Sequence, residues 1–190
     1  MTGTGPLVLV AEDQPLASLA LRAQLEVLDY QVMAAHDGEE AIALGACFPV
    51  ELGLFDFRMP RCNGVDAARA LFEMAPTPVV LLSGFDPVSL PEPLPRPPIF
   101  ASLTKPADLN DLRNALAAAA TGFASWIAAQ PGREDLVMKT QRERTTIADA
   151  INNAASDEPS GRVARQLLEQ ARREHLPLVD VARQTLHPER

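Results

Sequence analysis

Short apolar runs alternate with segments of helical period from the N-terminus to about residue 120. Leu7–Ala11 (LVLVA) is apolar without a break, the pattern of a strand covered on both faces. Gln14–Leu28 follows as a predicted helix, with Pro15 near its start and Leu19, Leu21, Leu25 and Leu28 at helical spacing. The pattern then predicts a strand over Gln31–Ala35 and a helix over Asp37–Ala46 with acidic residues in its first turn. A third strand over Glu51–Asp56, a third helix over Val65–Met74, a fourth strand over Pro78–Ser83 and a fifth over Ile99–Leu103 complete the alternation. Asp108–Ala120 is an Ala/Leu helix that can run on through Trp126. Alternation at this spacing predicts an α/β fold: a five-stranded parallel sheet with helices on both faces, in the flavodoxin-like doubly wound order.

One helix of the alternation is missing. Residues 86–98 read DPVSLPEPLPRPP, six prolines in thirteen residues. Each proline inside a helix removes a donor and clashes with the preceding turn, at about 3 kcal/mol. An extended, polyproline-like loop is predicted there instead. Pro131-Gly132 then breaks the chain. Glu134–Ala155 is predicted as a long helix whose Leu136, Thr140, Ile147, Ile151 and Ala154 form a weak apolar seam; a turn (156–161), a helix Gly161–His175 and a short helix Pro177–Leu186 follow. The organisation read from this is a first domain over 1–122, a helix extension and linker over 123–133, and a small three-helix bundle over 134–190.

Charge changes the picture in one respect. Residues 1–122 carry 7 basic and 15 acidic side chains, whereas 123–190 carry 10 of each, so the net −8 belongs wholly to the first domain. An acidic unit suits a metal; the tail has to be judged separately. No run approaches the roughly 18 apolar residues of a membrane span, and the N-terminus lacks the basic segment of a signal peptide. Cys47 and Cys62 build neither a disulfide framework nor a zinc site, so a cytoplasmic protein is expected.

In a doubly wound sheet the ligand site lies at the carboxyl ends of the strands. The sequence puts Glu12-Asp13 after the first strand, Asp56 at the end of the third, Ser83-Gly84 after the fourth and Lys105-Pro106 after the fifth. Three carboxylates held together repel one another unless a cation sits among them, and hard oxygen ligands suit Mg²⁺. A hydroxyl and an ammonium beside that metal suit a phosphoryl group carried on a carboxylate. The acidic pair Glu12-Asp13, the stretch DFRMPRCNG (Asp56–Gly64), Ser83-Gly84 and the LTKP of Leu103–Pro106 resemble the receiver domain of two-component response regulators, over roughly residues 6–122. The resemblance implies that Asp56 accepts phosphate from a histidine kinase. It implies that Asp13 and Asp56 ligate Mg²⁺ with Glu12 assisting, that the backbone carbonyl of Arg58 completes the protein ligands, and that Ser83 and Lys105 contact the phosphoryl group. It implies a signalling protein rather than an enzyme in the ordinary sense. A dehalogenase-type phosphatase also uses an aspartate after a strand, but it places a second Asp two residues on, where this chain has Arg58. Ser102 stands where receivers carry a Tyr or Phe three residues before the lysine, and Phe100, two residues earlier on the same strand face, is a candidate to take its place.

The tail, with VARQLLEQARREH and then HLPLVDVARQTL, resembles the ANTAR domain, a three-helix RNA-binding output of transcription antiterminators. The matching positions are Ile147, Ala150, Ala164, Leu167, Leu168, Ala171, Leu178, Val181 and Ala182. On a helical wheel Arg162, Arg165, Arg172 and Arg173 fall opposite the apolar face of Ala164, Leu167, Leu168 and Ala171, and Lys139, Arg142 and Arg144 add a basic group on the preceding helix. These seven are the candidate contacts to RNA hairpins, presented by a homodimer whose formation follows phosphorylation. A tail that dimerises or binds a protein partner without touching RNA is the alternative, and a receiver uncoupled from phosphate is a third.

Overall fold

The computed structural model describes residues 5–84, 96–154 and 160–186. Five parallel strands, β1 (Leu7–Ala11), β2 (Gln31–Ala35), β3 (Leu52–Asp56), β4 (Val79–Ser83) and β5 (Ile99–Thr104), lie in the order β2-β1-β3-β4-β5. This is the doubly wound order expected from the alternation. Helices α1 (Pro15–Val27), α2 (Gly38–Cys47), α3 (Gly64–Met74) and α4 (Leu109–Ala128) follow strands in the first part of the chain, and α5 (Arg133–Ala154), α6 (Ser160–Glu174) and α7 (Leu178–Leu186) complete it. Each predicted element recurs with its ends shifted by no more than one residue, apart from α4, which realises the extension past Trp126. Residues 85–95 and 155–159 lie outside the described residues, and with them most of the proline loop and of the 156–161 turn; residues 96–98 form a turn into β5.

The strands are apolar throughout because the pleat sends alternate residues into two different cores. Val8, Val10, Leu52, Leu54, Val80 and Leu82 pack with α1 and α4 on one side. Leu9, Ala11, Phe55, Val79 and Leu81 pack with α2 and α3 on the other. That second core does not stop at α3. It continues into Ile147, Ala148 and Ile151 of α5, Ala164, Leu167, Leu168 and Ala171 of α6, and Val181 and Ala182 of α7. The apolar face of α6 is therefore covered by α2, and the Cys47 thiol of α2 lies 3.9 Å from the Ala164 carbonyl. The seam predicted on α5 is buried only in its second half; Leu136, near its start, is 51% exposed.

Arg144 of α5 fastens this arrangement. Its guanidinium is buried and donates to the carbonyls of Gly45 at 3.0 Å and Val50 at 3.1 Å, to Thr77 Oγ1 at 3.2 Å and to Gln141 Oε1. Burial without a bonded carboxylate pulls its pKa down to about 10, against the opposing field of Glu51.

Candidate phosphoacceptor site

Parallel strands end on one edge, so the register decides which residues meet there. Ala11 is paired with Phe55, Asp56 with Leu82, and Ser83 with Thr104, which brings Glu12, Asp13, Asp56, Ser83 and Lys105 to the same rim. A carboxylate oxygen from each of Glu12, Asp13 and Asp56 lies within 4.8 Å of the others. Three carboxylate oxygens gathered this closely are the hard donor set that a divalent cation such as Mg²⁺ takes. The three differ in access: Glu12 and Asp56 are buried, whereas Asp13 is exposed.

Lys105 already occupies the acidic pocket. Its ammonium pairs with Glu12 and lies 3.0 Å from Asp56 Oδ2. Partial burial acts to lower the Lys105 pKa, but the hydrogen bonds and charges of Glu12 and Asp56 outweigh it and hold the value above that of an ordinary lysine. The stability this pairing contributes is complete below the ordinary lysine pKa of about 10.4 and is lost as pH rises through the raised folded value. The backbone fixes the same end: Lys105 N–H donates to the Ser83 carbonyl at 2.7 Å.

The loop after Asp56 is held by α2 and α3. Asn63 caps α3 by accepting from the Asp66 N–H at 2.9 Å, and Gly64 N–H donates to the Phe57 carbonyl at 3.2 Å. A Cβ on Gly64 would stand 2.2 Å from the Asp56 carbonyl oxygen, so only glycine allows α3 to start this close to the site. Gly64→Ala is expected to destabilise the protein by about 1–3 kcal/mol, read as a lowered unfolding midpoint. Arg58 lies in this loop with its side chain exposed.

Asp37 is a residue whose role the helical pattern did not reveal. Its Oδ1 caps α2 by accepting from Glu40 N–H at 2.8 Å, while its buried Oδ2 meets Arg61 of the loop after Asp56 and Arg165 of α6 at 3.4 Å. The cap was legible as an Asp three residues before a Glu. The two arginines come from distant parts of the chain, and no local pattern joins them.

The basic candidates of the tail do not form one surface. Arg144 was expected among the RNA contacts, and the structure corrects this: it faces the first domain and is spent on carbonyls there. Arg165 is half-buried against Asp37. Lys139, Arg142, Arg162, Arg172 and Arg173 are exposed; Lys139 lies 3.9 Å from Glu143 and Arg173 3.9 Å from Glu174. Ser102 of β5 is exposed. Phe100 stands edge-to-face with Phe123 of α4 at 5.7 Å. It is four residues before Thr104, roughly 13 Å down the strand from the rim. Trp126 packs on Phe72 at 5.2 Å under the Arg133 guanidinium. Burial raises both thiols, Cys47 to about 12, and neither Cys47 nor Cys62 is set up as a thiolate.

The chain is 33% identical over 117 residues to the transcriptional regulatory protein PdtaR of Mycobacterium tuberculosis, a stretch covering 61% of this chain and 57% of that protein. It is 40% identical over 77 residues to the transcriptional regulatory protein CpxR of Escherichia coli, covering 40% and 32%. The matched stretches thus span less than two thirds of these relatives. Among solved structures, the receiver domain of a sensor histidine kinase from Pseudomonas aeruginosa, with magnesium in its active site cleft, superimposes with a TM-score of 0.57 at 23% identity, covering 62% of this chain and 99% of that one. A signal receiver domain of a diguanylate cyclase from Desulfovibrio desulfuricans gives 0.57 at 28%, covering 63% and 96%. The family profile described as the response regulator receiver domain matches residues 8–117, more than half of the chain and, but for Leu7, all five strands. With the fold, the acidic rim and this match in agreement, the chain belongs to the response regulator receiver domain family.

Proposed function

We propose that the protein is a cytoplasmic, non-enzymatic response regulator that is phosphorylated on Asp56 by a histidine kinase and acts through its C-terminal helices. The observation that carries this reading is the convergence of Glu12, Asp13 and Asp56 within one cation's reach, with Lys105 among them. Asp13 and Asp56, with Glu12 and the Arg58 carbonyl, would hold Mg²⁺, which supplies charge neutralisation for phosphate oxygens when bound. Asp56 supplies the attacking carboxylate oxygen; the bond from phosphorus to the kinase histidine breaks, and its electron pair stays with the imidazole. Lys105 then exchanges its contact with Asp56 for one with the phosphoryl group, and Ser83 donates to another oxygen. Beside the rim, α1 exposes Leu16 and Leu19. An apolar strip next to the site suits a docking kinase helix.

For the output, α5–α7 are read as an ANTAR-like bundle that binds RNA hairpins in transcription antitermination, as a homodimer favoured by phosphorylation. The exposed Lys139, Arg142, Arg162, Arg172 and Arg173 support it. A helical tail that binds a protein partner is the second reading, favoured by the use of Arg144 and Arg165 in holding the tail to the receiver. Gel-shift with structured RNA, with and without beryllofluoride and Mg²⁺, separates the two. On the first reading binding strengthens with beryllofluoride and falls steeply with salt, and replacing Arg172 and Arg173 by Ala lowers the slope of log K against log salt by about 2. A shift that is absent in both states supports the protein partner.

A further inference from the structure

Asp37 stands at the carboxyl edge of the sheet, two residues past the end of β2, where the Glu12 N–H donates to the Ala35 carbonyl at 3.1 Å. One of its carboxylate oxygens is committed to the cap of α2, and the other, Oδ2, serves two cations. Arg61 pairs with it closely, whereas Arg165 of α6 stands 3.4 Å away, longer than the roughly 2.7–2.9 Å of a full charge-assisted hydrogen bond. Arg165 is otherwise underused, since its Nε is enclosed and finds no acceptor. Two guanidinium groups on one carboxylate oxygen repel each other, so each weakens the other's hold. Arg61 is also strained. Cys62 N–H donates to the Pro60 carbonyl at 2.8 Å, closing a three-residue turn centred on Arg61, whose φ is +65°. A γ-turn with positive φ is rare and costly. The Arg61 side chain is 53% exposed and is held by Asp37 and, at 3.6 Å, by Glu39. The same turn abuts the start of α2, where a Cβ on Gly38 would collide with the Cys62 carbonyl. The loop that leaves Asp56 is thus in direct contact with the residue that anchors α6.

We infer that Asp37 is a shared anchor through which the loop after Asp56 sets how firmly α6 is seated on the receiver: Arg61 and Arg165 compete for it, and withdrawing Arg61 tightens Arg165. The trigger rests on the phosphoacceptor reading of Asp56. With Mg²⁺ held constant, a phosphoryl group on Asp56 adds negative charge at the same edge. Arg61 turns toward that charge, and Asp37 is left to Arg165. The route runs through the start of α2 and needs no aromatic side chain at Ser102. Because Arg172 and Arg173 stay exposed on the seated helix, tightening fixes the orientation in which they are presented.

The test is hydrogen exchange of the α6 amides in the full chain, because an unseated helix exchanges faster. In the unphosphorylated protein, Arg61→Gln is expected to slow α6 exchange severalfold, the scale of a partly exposed ion pair. Loss of a merely structural contact would speed it instead. Asp37→Asn, whose side chain still caps α2, is expected to speed α6 exchange severalfold, as is Arg165→Gln, and adding Arg61→Gln to either should produce no slowing. Beryllofluoride at constant Mg²⁺ is expected to reproduce the Arg61→Gln slowing in the wild-type chain and to change nothing in Asp37→Asn. Unchanged or faster exchange in Arg61→Gln, or slowing that persists alongside Asp37→Asn, overturns the shared anchor. Phosphoryl uptake on Asp56, read by intact mass, with no change in α6 exchange overturns the link to phosphorylation alone. Absence of uptake overturns the phosphoacceptor reading and that link with it, and the variants then decide the anchor by themselves.

Discussion

Given Mg²⁺ and a small acyl phosphate, the protein is expected to take up one phosphoryl group, and Asp56→Asn none. Intact-mass measurement followed by peptide mapping reads this directly. The competing carboxylates are poorly placed. Glu12 is enclosed completely, with no exposed surface for in-line attack. Asp13 is exposed, but it follows the strand end, whereas Asp56 is the last residue of β3 and lies against Lys105 at 3.0 Å. Asn at 56 keeps the size of the side chain and removes its nucleophilic charge, so the fold should persist while uptake disappears. Asp13→Asn and Lys105→Ala are expected to slow uptake by about 10- to 1,000-fold rather than abolish it, because each removes one electrostatic contact of about 1.4–4 kcal/mol. A phosphoryl group found on another residue, or equal uptake with Mg²⁺ chelated, would refute the assignment.

The largest effect on stability is expected from Arg144→Ala, about 3 kcal/mol. The substitution leaves the Gly45 and Val50 carbonyls and the Thr77 hydroxyl without their donor inside a buried contact, and opens a void where the guanidinium stood. Arg142→Ala, two residues away on the exposed side of the same helix, is the matched control and should change stability by no more than about 0.5 kcal/mol. Denaturant titration distinguishes the two: a lower midpoint at unchanged slope for Arg144→Ala shows that receiver and bundle unfold together. A separate early transition would show the bundle detaching first. Indistinguishable midpoints for the two variants would mean that Arg144 does not seat the tail.

These two residues mark how differently function and architecture are written in the chain. The placement of Asp56 at the rim was legible because strand ends, acidic pairs and the lysine are local features, and a parallel sheet has only one edge at which its carboxyl ends can meet. The helices were legible from apolar spacing, and α6 shows where that evidence stops. Its wheel separates Ala164, Leu167, Leu168 and Ala171 from the arginines, yet periodicity reports that a face is apolar without reporting what covers it. The covering element is α2, more than a hundred residues earlier. Arg144 was misread for the same reason. On a wheel an arginine is an exposed cation by default; it is buried here because free carbonyls at Gly45 and Val50 lie within its reach. Periodicity was equally silent on the partner of Phe100, the Phe123 ring of α4.

The sequence by itself therefore determined the order of elements, the acidic rim and the break at Pro131-Gly132, all set by interactions along a few neighbouring residues or by the geometry of a parallel sheet. Only the tertiary structure decided which arginines remain at the surface, that Asp37 joins Arg61 to Arg165, and that the tail shares a core with the receiver. Those outcomes depend on the desolvation and pairing of groups far apart in the chain, and such pairings exist only once the packing has brought the groups together.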